Sequence, residues 1–105
     1  MIDSYFQVKK KYCEIYGNET VVIIKNGKDC KIYGNKTERD YMKNISSMLD
    51  RICILTDSIS PEHTIGFSQE KLASYSQKLI EMGKVVVTIH SNGEKSIEIP
   101  LVDDV

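Results

Sequence analysis

The sequence predicts a mixed α/β domain, with a five- to six-stranded mixed sheet and helices packed on its faces. Runs of β-branched residues at positions 21–24 and 85–87 are typical of strands. Asn-Gly pairs beside these two runs are typical of hairpin turns, and apolar residues between them recur at helical spacing. Because hairpins produce antiparallel pairs and helical crossovers usually produce parallel pairs, the sheet should contain both.

The bulk composition indicates one globular domain. A chain of 105 residues can bury one core, so residues 1–105 are expected to form a single unit with a frayed acidic tail at 102–105. The net charge of −1 does not favour strong autonomous DNA binding, which usually needs a basic surplus. Three widely spaced cysteines predict neither a zinc site nor a disulfide framework. No apolar run reaches the length of a signal or membrane segment, so a cytoplasmic protein without a membrane partner is expected.

Residues 3–13 are predicted to form the first helix, which closes at Gly17. The expected inward positions are Tyr5 or Phe6, Val8 and Tyr12. The lysines Lys9, Lys10 and Lys11 are expected to lie on the solvated face of this helix and only secondarily to contact phosphate.

The first hairpin is predicted from the strand at residues 21–24 and the pair Asn26-Gly27 that follows. If these two residues form the turn, Ile23 lies opposite Cys30. Cys30 then faces the core together with Ile32, since side chains alternate along a strand. The opposite face carries Asp29, Lys31 and Tyr33.

A second helix is predicted to begin at Thr37, with Thr37 as N-cap and Asp40 three residues later, and to end near Asp50. Its apolar positions are Tyr41, Ile45, Met48, Leu49 and Ile52. The following residues, 52–56, are predicted to form a short strand that is buried on both faces.

Residues 58–65 are expected to form a loop or a single turn before the third helix. Ser68 is the predicted N-cap, Phe67 is expected to pack on Leu72, and Gly83 is expected to end the helix. The predicted apolar stripe consists of Leu72, Tyr75, Leu79 and Met82.

The last two strands are predicted at residues 84–90 and 95–101, joined by a turn at Asn92-Gly93. Three successive valines predict that the first of them is covered on both faces, and Pro100 places the second at a sheet edge. In the edge strand, the side chains expected to point inward are Ile97, Ile99 and Leu101. The predicted order is α, β, β, α, β, α, β, β.

Several of these patterns, in this order, resemble the N-terminal, mismatch-sensing domain of the MutS family. They are Tyr5, Lys9 and Glu14 near the start, Lys25 followed by Asn26-Gly27, and the helix and strand between Gly66 and Ile89. The resemblance extends from about Tyr5 to His90. It implies a MutS N-terminal-like fold, no enzymatic activity, and a setting in DNA mismatch repair or recombination. It also implies weak contact with the backbone of duplex DNA, and other repair proteins as partners.

In that family the glycine of the first hairpin precedes an aromatic residue, which wedges into the base stack, and then a glutamate that bonds the displaced base. Alignment on Gly27 places Asp29 at the aromatic position and Lys31 at the glutamate position. Because a carboxylate cannot stack on bases, the resemblance implies a module without the mismatch wedge. A shifted register would bring Tyr33 to the wedge position, but it would sacrifice the glycine.

The candidate DNA-binding residues are Lys9, Lys10, Lys11, Lys28, Asp29, Lys31 and Tyr33. No G-x-x-x-x-G-K-[ST] loop is present in the chain, so no ATP and no other cofactor is expected. The alternative function is a protein-interaction or structural module that binds no nucleic acid.

No catalytic residue or metal ligand is predicted. His63 is expected in an exposed loop, and His90 is expected to be half-covered and hydrogen-bonded. The spacing of Asp29 and Lys31, together with Asp57 and Glu62 further along, invites comparison with magnesium-dependent nucleases. We favour a non-enzymatic module, because alternating charges on an outward strand face are usually solvated.

Overall fold

A computed structural model describes residues 2–17, 19–49, 53–55 and 63–100 of the chain. The elements are helix α1 (Ile2–Tyr16), strands β1 (Thr20–Asn26) and β2 (Asp29–Gly34), helix α2 (Arg39–Leu49), strands β3 (Cys53–Leu55) and β4 (His63–Ser68), helix α3 (Leu72–Glu81), and strands β5 (Val85–Ile89) and β6 (Lys95–Glu98). Short 3-10 turns precede α2 and α3. The six strands form one sheet in the order β3-β4-β2-β1-β5-β6. The predicted mixed α/β class is therefore confirmed.

The sheet is mixed because β1 and β5 are parallel, whereas the remaining neighbours are antiparallel. Strand β5 lies between β1 and β6, with Val86 facing one core and Val87 the other. The prediction that this strand is covered on both faces is thus confirmed. Strand β6 is an edge strand, as Pro100 predicted.

Two apolar clusters lie on opposite faces of the sheet. The larger one packs α2 and α3 against strands β1, β2, β4 and β5. The smaller one packs α1 against the other face, with Tyr5, Val22 and Val87 fully buried at its centre. Within the described residues, α1 is the one helix on this second face, and side chains of the strands beside it, such as Lys31 and Ile97, are exposed there.

Helix α1 agrees with its predicted position and extends to Tyr16, where Gly17 ends it with φ of +90°. The Gly17 amide donates to the Cys13 carbonyl oxygen at 2.7 Å. The prediction for Lys9 is wrong, because this side chain is only 6% exposed and forms an ion pair with Glu38. Glu38 arrives from the turn before α2, which the spacing within α1 could not indicate.

The predicted hairpin exists, but its turn is shifted by one residue. Asn26 pairs with Asp29 and Lys25 with Cys30, so Gly27 and Lys28 occupy the two turn positions. Gly27 is the first of them and has φ of +65°, a conformation that glycine adopts without strain. As a result, the β2 residue opposite each β1 residue moves by two positions along the strand. Since alternate residues lie on the same face, the faces predicted for the β2 side chains remain correct.

The start of α2 differs from the prediction. Asn35, and not Thr37, is a capping residue here, and it caps the 3-10 turn that precedes α2: its side chain accepts from the Thr37 amide at 3.0 Å, and Glu38 accepts from the Asn35 amide at 3.0 Å. Asn35 was overlooked because Thr37 and Asp40 offered a similar pattern two residues later. The buried side chains of α2 are Met42, Ile45 and Leu49. Predicted positions Asp50 and Ile52 lie outside the described residues.

Strand β4 was not predicted. Residues 63–65 were assigned to a loop and Ser68 to a helix cap, yet His63, Ile65 and Phe67 alternate inward along a strand. Phe67, which was expected to pack on Leu72, packs edge-on against Tyr75, with ring centroids 4.9 Å apart. Ser68 precedes a 3-10 turn and makes no side-chain capping bond.

Three predicted apolar positions, Met82, Ile97 and Ile99, face solvent instead of the core. Met82 is 59% exposed because α3 ends at Glu81, one residue before it. Ile97 and Ile99 are exposed because no helix of the described residues covers β6 on the α1 face of the sheet, although Ile97 pairs with the buried Val87. Leu101, the third position predicted to point inward, lies outside the described residues.

Candidate functional site

The two predicted hairpin turns lie side by side at one end of the sheet. Strands β1 and β5 are parallel neighbours, and Ile24 pairs with Ile89 near their carboxyl ends. The chain then turns through Gly27-Lys28 after β1 and through residues 91–93 after β5, where the His90 amide donates to the Glu94 carbonyl oxygen at 2.8 Å. We call this region the hairpin end.

Four lysines surround the hairpin end. Lys28, Lys31 and Lys95 are exposed, and Lys25 is half-buried. Two carboxylates, Asp29 and Glu94, belong to the same turns. The local balance is therefore basic, although the whole chain carries a net charge of −1. Such a patch is where phosphate groups would be attracted.

A cavity of about 320 Å³ opens between the hairpin end and the first turns of α1, and we call it the α1 groove. Apolar side chains of Val8, Ile24 and Ile89 line it, together with the ring of Tyr5. Its polar lining residues are Ser4, Lys25, Asn26, His90, Ser91 and Lys95. In sheets with parallel strands, ligands commonly bind beyond the carboxyl ends of those strands, which is where this groove lies.

A smaller cavity of about 70 Å³ adjoins the α1 groove and shares Ile24 and Asn26 with it. Its other lining residues are Asp29, Lys31 and Tyr33, which are three of the residues predicted to contact DNA. The outward face of β2 is therefore continuous with the α1 groove.

Tyr33 is half-buried and is held in place by Tyr5. Its ring packs edge-on against Tyr5, with ring centroids 5.0 Å apart. The Tyr33 amide donates to the Tyr5 hydroxyl at 3.1 Å, and that hydroxyl donates to the Val22 carbonyl oxygen at 2.5 Å. Tyr33 is therefore half-buried, with its ring fixed against Tyr5 and one side on the smaller cavity, and its contact with DNA stays a prediction.

The three successive lysines of α1 separate into two groups. Lys9 points inward, where it pairs with Glu38 and lies 4.2 Å from the centroid of the Tyr41 ring. Lys10 and Lys11 are exposed, as predicted. From Ser4 in the groove to Lys11, the helix rises by roughly 10 Å. Tyr12, the next residue, lies at Thr20 at the start of β1, so Lys10 and Lys11 lie away from the hairpin end, and Lys9 is unavailable to a ligand.

The histidines lie in different surroundings. His63 is buried in β4 and not in an exposed loop, and its Nδ1 has no hydrogen-bond partner among the described residues. His90 is half-buried as predicted, with its Nε2 2.8 Å from the Ser96 hydroxyl oxygen across the β5–β6 hairpin. Sequence spacing alone did not indicate this histidine–serine contact.

The metal-dependent nuclease comparison gains no support from the described part of the chain, where no group of three His, Cys, Asp or Glu side chains is placed to hold a metal ion. Asp57 and Glu62 lie outside the described residues. Burial raises the pKa of the Cys30 thiol and that of Cys13, so neither is activated as a nucleophile. Within residues 2–17, 19–49, 53–55 and 63–100, no helix is long and apolar enough to cross a membrane.

Lys25 and Lys95 were not among the candidate residues, yet they line the groove. They are 70 positions apart in the chain and lie at the same end of the sheet because β1 and β5 are parallel neighbours and β6 pairs with β5. The signal that could have found them is the repeated pattern of a β-branched strand followed by an Asn-Gly pair. If the two strands pair in parallel, both turns must lie at the same end of the sheet.

Comparison with known proteins adds no family. No protein-family model matches the chain, and a search of curated proteins finds no match.

Proposed function

We propose that this domain is a non-enzymatic module that binds the phosphate backbone of nucleic acid through its hairpin end. The observation that carries the proposal is the placement of Lys25, Lys28, Lys31 and Lys95 in or beside two adjacent turns at one end of the sheet. The resemblance to the MutS N-terminal domain adds DNA repair or recombination as the cellular setting of this proposal.

The binding should be weak and strongly dependent on salt. Each phosphate that a lysine neutralises on duplex DNA contributes about −0.9 to the slope of log affinity against log salt. Four lysines, opposed by Asp29 and Glu94, predict a slope of about −2 to −3. The net charge of −1 provides no long-range attraction to add to this.

The module should not distinguish mismatched from matched duplex. Between Lys25 and Lys31 the hairpin contains no aromatic residue. Tyr33, the nearest one on β2, packs against Tyr5 under α1. A side chain that wedges between bases must be free to extend from the protein surface. The Tyr33 ring is fixed against Tyr5, and this supports a contact that does not depend on a mismatch.

Fluorescence anisotropy tests this proposal with a labelled duplex of about 20 base pairs, in matched form and with one central mismatch, at low salt. We expect equal affinity for the two duplexes and a linear loss of affinity with rising salt. A clear preference for the mismatched duplex would contradict the absence of a wedge. No binding of either duplex or of a single strand at any salt concentration would reject the proposal as a whole.

The matched variants keep the net charge equal and differ only in position. Lys28→Gln with Lys95→Gln removes two charges from the hairpin end, whereas Lys43→Gln with Lys78→Gln removes two exposed charges from α2 and α3. The first pair should reduce the salt slope by about 1.8, and the second pair should leave it unchanged. Equal slopes for both variants would place the contact elsewhere.

The alternative, a protein-interaction module that binds no nucleic acid, is supported by a different observation. Edge strand β6 exposes Ile97 by 39%, and Ile99 just beyond it is 53% exposed. An edge strand with exposed apolar side chains can pair with another chain. Analytical ultracentrifugation of the wild type and of Ile97→Lys would detect self-association that depends on this edge.

A further inference from the structure

The α1 groove has the size of a site for one ring system. Its volume of about 320 Å³ is at the small end of ligand sites, which span roughly 300–1,000 Å³. Val8 and Ile24 form opposing apolar walls from α1 and β1, and Ile89 of β5 closes the side. A planar, largely apolar group would be desolvated by these surfaces.

The charged and polar residues at the mouth of the groove indicate which kind of planar group it could bind. Lys95 pairs with Ile89 and lies on the same face of the sheet, so it would place a cation beside a ring bound inside the groove. Ser4 and Asn26 add a hydroxyl and an amide, which can donate to or accept from the edge of a heterocycle. An apolar slot bordered by one cation and by hydrogen-bonding groups matches a nucleobase whose phosphates remain outside.

The lysines continue beyond the groove, which favours a polymer over a single nucleotide. Lys28 and Lys31 extend the basic surface along the β1–β2 hairpin, on the side of the smaller cavity lined by Asn26 and Lys31. Adjacent phosphates of a strand could therefore be neutralised while one base occupies the groove. A base in a duplex is stacked and paired, and it would enter only after extrusion from the helix.

We infer that the α1 groove binds one unpaired base of a nucleic-acid strand, so that the hairpin end prefers single strands to duplexes. This inference depends on the proposed function, since the hairpin-end lysines must hold the strand. It adds a site, the groove, and a substrate class, unpaired nucleic acid.

The test compares three labelled oligonucleotides at one salt concentration: a single strand of about 12 nucleotides, the same strand with abasic sites at its centre, and its duplex. Stacking or burial of one base is worth roughly a tenfold gain in affinity. We expect the intact strand to bind about tenfold more tightly than either of the other two. Equal affinity of the intact and abasic strands would refute the role of the groove.

Two variants block the groove without touching the lysines. Ser4→Trp places a large ring at its mouth from an exposed position, and Val8→Phe fills it from within. Ser74→Trp, at an exposed position of α3, is the matched control. Ser4→Trp should remove the tenfold preference for the intact strand while the salt slope remains that of the wild type, and Ser74→Trp should change neither. Ser4 is exposed, so its substitution tests the groove even if Val8→Phe lowers stability.

The possible results separate the two proposals. If the single strand, the abasic strand and the duplex bind equally, and only Lys28→Gln with Lys95→Gln weakens binding, then the groove inference fails and the backbone contact stands. If none of the three binds at low salt, both fail. A free mononucleotide that binds as tightly as the intact strand would refute the assignment to a strand, and weaker binding of the mononucleotide supports it.

Discussion

Tyr5 holds two strands together through its hydroxyl group, and its replacement by phenylalanine tests this arrangement. The pairing of β1 with β2 extends from Asn26 to Ile24. Two residues further on, where Val22 would lie opposite Tyr33, the Tyr5 hydroxyl donates to the Val22 carbonyl oxygen at 2.5 Å and accepts from the Tyr33 amide at 3.1 Å. A side chain from α1 thus satisfies two backbone groups of the sheet.

The expected cost follows from these two contacts. Tyr5 is 1% exposed and Val22 is fully buried, so water cannot readily replace the lost hydroxyl. Each buried backbone group without a partner costs about 1–3 kcal/mol. Some relaxation of the strands should offset part of this, and we expect Tyr5→Phe to lower the free energy of unfolding by about 2–4 kcal/mol.

Urea denaturation followed by circular dichroism measures this change. With a dependence on urea of about 1–3 kcal/mol per molar for a small domain, the midpoint should fall by roughly 1–2 M. Tyr16→Phe is the matched control, since the half-buried Tyr16 stacks on Tyr12 through its ring. That change should cost less than about 0.5 kcal/mol. A Tyr5→Phe variant as stable as the control would show that the strands do not need the hydroxyl.

The same hydroxyl predicts a dependence of stability on alkaline pH. Burial raises the pKa of Tyr5 well above its ordinary value, whereas in the unfolded chain this phenol ionises near pH 10. The native state therefore keeps a proton that the unfolded state loses. Stability is fully retained below about pH 10 and falls above it, by up to about 1.4 kcal/mol per pH unit for this group. Tyr5→Phe should show a shallower fall between pH 10 and 11, and equal slopes would contradict the argument.

Two further substitutions test the packing around the sheet. Gly34→Ala should lower the free energy of unfolding by about 1–3 kcal/mol, because a Cβ at this position would lie 2.3 Å from the Met42 Cγ. Thermal denaturation measures this change. Gly66→Ala is the control and should be nearly neutral, because a Cβ there would have no atom within 4 Å. Lys9→Ala should cost about 2–3 kcal/mol because it leaves the Glu38 carboxylate partly buried without its cation. The same Lys9 variant should bind nucleic acid with an unchanged salt slope, and a reduced slope would show that Lys9 reaches phosphate after all.

Local patterns in the sequence predicted the elements whose ends depend on a few neighbouring residues. Gly17 directly follows α1 and Gly83 follows α3 by two residues. Both have positive φ, a conformation that glycine adopts readily at the end of a helix. The three valines of β5 are buried because both faces of that strand are covered, which a continuous apolar run indicates. The faces predicted for the β2 side chains were also correct, because a register error of two residues leaves each side chain on the same face of the strand.

Errors arose where a distant part of the chain decided the outcome. His63 and Phe67 alternate inward in β4 only because β2 and β3 pair on either side of that strand. Lys9 is buried because Glu38 approaches it from another element. Ile97 is exposed because α1 covers the centre of its face of the sheet and stops short of β6. None of these neighbours is visible within a local window of sequence.

The sequence by itself determined the class of fold, the two hairpins and the absence of an aromatic wedge between Lys25 and Lys31, because turn chemistry and side-chain alternation are local. Only the tertiary structure decided that the two turns share one end of the sheet, since this follows from parallel pairing of β1 with β5. That pairing brings Lys25 and Lys95 to the same groove across 70 residues of chain. The candidate site is therefore a property of the topology, assembled by hydrogen bonds between strands that are remote in sequence.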